Sequence, residues 1–213
     1  MRLSRIIINI TIPFFLVIFF ASMLTTKPYL MLSKGLYESH ERVYFDHDYA
    51  VDRIMGYLNY RYDNLEFGLN AEDDSVIMRD IEIRHMVDVK NLYTYLRVAA
   101  LASLLIGGGL LYYQFKKDKR EVYKTIKFMP VVPMFFILFV GAAVLIDFDA
   151  AFTTFHQLFF TNDDWLLLYN DVLIILLPTN FWMVSGIIIL VLFTLSLGLL
   201  YFLNEKILKN SAF

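Results

Sequence analysis

Apolar residues gather into four long runs, at about residues 6–24, 95–115, 128–146 and 181–203. Each is close to the roughly 20 helical residues that cross a hydrocarbon core about 30 Å thick. The pattern predicts an α-helical polytopic membrane protein with four transmembrane helices. The second run is thin: its strictly apolar part starts at Val98, and Ala99, Ala100, Ala102, Ser103 and Gly107-Gly108-Gly109 are small residues that let membrane helices approach closely. Pro13, Pro130 and Pro133 are tolerable where neighbouring helices re-satisfy the freed carbonyls.

Between the first two runs lies a polar stretch, residues 27–94, long enough for a small cap domain. Val51, Ile54, Met55 and Leu58 recur at helical spacing after Asp48, which predicts a helix over 49–61 capped by Asp48. Residues 65–70 and 75–79, separated by Ala71-Glu72-Asp73-Asp74, read as a short hairpin, so the cap is expected to be mixed α/β. Asp80 is placed to cap a further helix that carries His85 straight into the second span. Residues 165–178 are apolar but too short to cross, and Asn170 and Asp171 interrupt them, which reads as interfacial or re-entrant. The organisation expected is therefore a first transmembrane helix (1–26), an extracytoplasmic domain (27–94), and three further spans (95–213) with a basic loop at 114–127 and the re-entrant segment within 147–180.

Composition agrees with the pattern: 58% hydrophobic, 17% aromatic and a mean hydropathy of +0.55 are outside the range of soluble domains. A net charge of −2 hides an asymmetry. With both termini and the 114–127 loop on one face, that face holds ten basic against three acidic residues, and the other holds nine against eighteen. The positive-inside rule then puts both termini in the cytoplasm. This balance gives no support for nucleic-acid binding. The first run follows Arg2 and Arg5, but Ala21-Ser22-Met23 is a poor cleavage site, so an uncleaved anchor is expected. The chain has no cysteine, hence no disulfide and no thiol nucleophile.

The candidate chemistry lies in histidines. His40 and His47 stand among Glu38, Glu41, Asp46 and Asp48 and read as solvated surface residues. His85 and His156 each lie about ten residues outside a span and on the same predicted side, at the depth of lipid ester groups. Imidazoles there can exchange protons near neutral pH. Glu82 and Asp88 share a helical face with His85 and could orient it. Thr153, one turn before His156, is the nearest hydroxyl. On spacing alone, a structural role for both histidines competes with a catalytic one.

The words His85-Met86-Val87-Asp88-Val89 before one span and Phe155-His156-Gln157-Leu158-Phe159-Phe160, followed by Trp165, after the next resemble the lipoprotein intramolecular transacylase family. The resemblance implies a cofactor-free acyltransferase of the bacterial plasma membrane, acting at its outer face. Its substrates would be diacylated lipoproteins held in membrane lipid. The sn-2 acyl chain would pass to the α-amino group of the lipoprotein's own terminal cysteine. His85 and His156 would then be the catalytic pair, supported by Asp88, Glu82 and Thr153, with Arg84, Arg79 and Trp165 contacting substrate. Two rival classes remain. Histidines on facing helices could ligate haem in an electron carrier, or the cap could be the binding surface of a non-catalytic membrane adaptor. A hydrolytic zinc site has no H-E-x-x-H word to support it.

Overall fold

The computed structural model describes residues 2–34 and 43–208, so the reading of His40 lies outside the described residues. In chain order the helices are α1 (Arg2–Leu24), α2 (Lys27–Ser33), α3 (His47–Leu58), α4 (Asp80–Lys117), α5 (Lys119–Phe128), α6 (Val131–Ile146), α7 (Phe148–Phe159), α8 (Val172–Leu176) and α9 (Thr179–Leu203), followed by a π-helical turn, Asn204–Leu208. Among the described residues four stretches are long and apolar enough to cross a membrane: Arg2–Leu24, Asp80–Lys117, Lys119–Ile146 and Thr179–Ile207. The four-span reading holds. At about 1.5 Å per residue the 38 residues of α4 are about 57 Å long, so its polar first turns must lie outside a core about 30 Å thick.

The chain divides into two compact units. One comprises residues 1–21, 96–147 and 187–213. Its interior is Ile8, Met129, Phe193 and Leu197, with Ile12, Leu16, Leu110, Leu111 and Leu200 packed against them. Gly107 lets α1 and α4 close up, because a Cβ there would come within 2.9 Å of Ile12 Cδ1 and closer still to Thr11 Oγ1. Gly108 and Gly109 face open space, so one glycine of the three does the packing. The 114–127 segment is helical rather than a loop: α4 runs to Lys117, and Asp118 breaks the chain and caps α5 by accepting from Arg120 N–H. Glu121, Val122, Tyr123 and Thr125 form the buried face of α5, and Glu121 pairs with Arg5 at 2.8 Å.

The second unit, residues 22–95 and 148–186, contains the cap. Its core joins Ala50, Val51, Ile54, Met55 and Leu58 of α3 to Leu65, Phe67, Met78 and Met86, and to Val172, Leu173, Ile175 and Leu176 of α8. The helix cap is Asp46, whose carboxylate accepts from the backbone N–H of Asp48 and Tyr49, and not Asp48. The mixed α/β expectation is corrected: no strand occurs among the described residues. Leu65 and Phe67 do alternate into the core, but the backbone around them is held by side chains instead of a ladder. Asn64, Asn70 and Asp73 accept from the N–H groups of Glu66, Glu72 and Ser75, which are local turns that compete with strand pairing. One cross-link, Ile77 N–H to the Phe67 carbonyl at 3.1 Å, remains of the hairpin. The 165–178 segment splits: Leu166 and Leu168 are exposed, while α8 is buried in the core. His47 is mostly covered rather than solvated, with Nδ1 3.3 Å from the Asp48 carboxylate.

Candidate active site

Both candidate histidines belong to the second unit and meet there. His85 is in the second turn of α4, about ten residues before the apolar stretch, and His156 is in the last turn of α7. Their ring centroids are 5.9 Å apart with planes 35° off parallel. They are 8% and 7% exposed. Phe160, at the end of α7, touches both, at 5.2 Å from the His85 ring and 5.6 Å from that of His156. Trp165 stacks on His156 at 5.1 Å, and Phe152 approaches it at 4.2 Å.

The aromatic enclosure sets the electrostatics. Burial pulls the His156 imidazole below its ordinary range. Burial and then the neighbouring His156 pull His85 down to about 4, against the opposing pull of Asp88 and Asp164. Both rings are therefore neutral near pH 7. His156 Nδ1 lies 2.8 Å from the Phe152 carbonyl, which can only accept, so Nδ1 carries the proton and Nε2 keeps a lone pair. Nδ1 of His85 is buried and has no partner among the described protein atoms.

The other sequence candidates are near the pair but engaged elsewhere. Asp88 accepts from Asn162 Nδ2 at 2.8 Å and acts on His85 through its field. Glu82 accepts from Arg79 N–H and from Leu173 N–H, both at 2.9 Å, and so fixes α8 to α4. Arg84 makes two 2.9 Å bonds to Asp164, and Arg79 bonds Asp171 at 2.8 and 2.9 Å. Thr153 is half-buried, three residues before His156. Sequence reasoning named Phe160 and Asp171 without giving them a role, and missed Phe152, Asn162 and Asp164. The one signal available was Asp171 itself, a carboxylate inside an apolar run that demands a partner. Two apolar grooves lie in the other unit, one of about 420 Å³ lined by Gly141, Leu145, Ile187 and Val191, and neither is lined by a histidine.

A family model for the lipoprotein intramolecular transacylase Lit matches residues 5–182. The chain belongs to that family. The Lit resemblance drawn from the two histidine words is thereby confirmed. The fold agrees with the in meso structure of the membrane integral Lit of Bacillus cereus, at a TM-score of 0.82 and 23% identity over 99% of this chain and 96% of that one. A variant of that protein with a histidine replaced by alanine gives a TM-score of 0.78, at 22% identity, over 99% and 94% of the two chains. An uncharacterized protein of Aquifex aeolicus (strain VF5) is 26% identical over 137 residues, 62% of this chain. The match spans 59% of that relative's length.

Proposed function

We propose that this member of the Lit family moves the sn-2 acyl chain of a diacylglyceryl-modified lipoprotein onto the α-amino group of its N-terminal cysteine, leaving a lyso form. The observation that carries the reading is the buried imidazole pair with one tautomer fixed. Amine and ester belong to one substrate molecule, so the protein's tasks are to fold a ring of about eight members and to move protons.

The neutral amine attacks the ester carbonyl, forming a C–N bond, and His156 Nε2 takes the proton the nitrogen sheds. The Phe152 carbonyl holds the Nδ1 proton throughout and favours the imidazolium formed. His85, neutral, donates an N–H to the oxyanion. As the tetrahedral intermediate collapses, the carbonyl–oxygen bond to glycerol breaks and His156 returns its proton to that oxygen. The products are an amide and an alcohol, with no covalent enzyme intermediate and no demand on Thr153. A bis-imidazole haem is disfavoured because the porphyrin around an iron held between the rings would run into Phe160, which packs beside both. The charge asymmetry supports a plasma-membrane placement with both termini cytoplasmic and the pair on the outer side.

The test is lyso-lipoprotein formation, read by mass spectrometry, in a host lacking the activity. H85A and H156A at equal membrane abundance are each expected to lose about 10²- to 10⁴-fold in rate. Full conversion by both variants removes the histidine mechanism, and no conversion by the wild type leaves the adaptor reading.

A further inference from the structure

At 8% and 7% exposure the two imidazoles are closed to a substrate whose reacting atoms must come within about 3 Å of them. Phe152, Phe155 and Phe160 are fixed walls, since they belong to α7 or its last turn, like His156 itself. Trp165 is a wall of another kind. It comes from the irregular segment 161–170, where the backbone bonds Leu166 N–H to Asp163 and Leu167 N–H to Trp165 are local.

What places Trp165 is a pair of side-chain ties to α4, Arg84 to Asp164 and Asn162 to Asp88. They are coupled, because Asp164 N–H also bonds Asn162 Oδ1 at 3.0 Å. Both ties are exposed, where solvent screens them and they add little to stability. The next ties along the chain, Arg79 to Asp171 and Leu173 N–H to Glu82, end on carboxylates that are nearly or wholly buried. The segment is thus firmly held at α8 and weakly held over the histidines. We infer that residues 161–165 form a releasable cover on the histidine pair, with Asn162 and Asp164 as the positioning residues that set Trp165 against His156. Releasing the two ties lifts Trp165 and admits the ester; remaking them excludes water from the reacting centre. In its role for turnover the cover rests on the transacylase reading, but its opening does not.

The test uses the full-length protein in detergent micelles, with diethyl pyrocarbonate as probe and mass spectrometry of the His85 and His156 peptides as readout. The native chain has no cysteine, so the R84C/D164C double variant can be bridged at one place by a reducible bis-methanethiosulfonate. Bridging is expected to slow modification of His156 about tenfold, with recovery on reduction, and D164A to speed it severalfold, as for any local opening equilibrium. Lyso-lipoprotein formation on the same samples should fall with the bridge and return when it is cleaved. Equal modification of bridged and cleaved protein overturns the cover, as does a D164A variant labelled like the wild type, or a bridged protein that turns over at the cleaved rate. Labelling that responds as expected while the wild type forms no product overturns the transacylase reading and leaves the cover standing.

Discussion

Glu82 is 0% exposed, and its two oxygens each satisfy a backbone N–H, one from Arg79 and one from Leu173. E82A would leave both donors unpaired inside the unit, which costs about 1–3 kcal/mol for each. Thermal unfolding in detergent should show a large fall in Tm for E82A and a smaller one for E82Q, which keeps one acceptor. The histidines make a second prediction. The unfolded chain takes up protons on them near 6.5, while folded His85 resists until about 4. The contribution of His85 to stability is complete above about 6.5 and is lost as pH falls toward 4, and that of His156 is lost in the same direction. Catalysis should follow the folded state: the rate falls tenfold per pH unit below the amine's own pKa and steepens only when the base His156 protonates, below the ordinary histidine range. A second break in the pH–rate profile at 6.5 would show that the pair is not buried during turnover. Spacing gives Glu82 and Asp88 one task, the orientation of His85, because both share its helical face. Packing gives them others, since Leu173 and Asn162 arrive from 91 and 74 residues away, separations no local periodicity reports.

Among the elements, α1 and α4 meet where Gly107 has no side chain. G107V should force the helices apart and lower stability by about 1–3 kcal/mol, while G108V, built into open space, should cost under about 1 kcal/mol. Chemical denaturation of both variants in the same micelle checks the difference. The triple glycine announces a packing site in the sequence, but which glycine faces the neighbour depends on where α1 lies. The helix over residues 47–58 is legible from four apolar positions, whereas the hairpin is not borne out. Alternation at Leu65 and Phe67 reports which side chains point inward and says nothing of hydrogen bonding, and there the asparagines and Asp73 claim the backbone donors.

For the whole molecule, the four spans are readable because a bilayer imposes length and apolarity on any helix that crosses it. The asymmetry of charge predicts sidedness: in intact cells an impermeant maleimide should label S75C from outside and leave K119C unlabelled until the membrane is opened. The reverse pattern would put the histidines on the cytoplasmic side. The interleaving of two units along one chain is not readable in this way, because it rests on contacts between distant segments. It also orders events during synthesis. His85 emerges from the ribosome seventy-one residues ahead of His156, and the core beneath it waits for Val172, Leu173 and Ile175, by which time a third apolar helix has already been threaded into lipid. Nascent chains halted before α8 would thus carry both histidines in an unfinished cap, open to chaperones and proteases, and the half of the protein that holds the pair matures only after most of its anchor is in place.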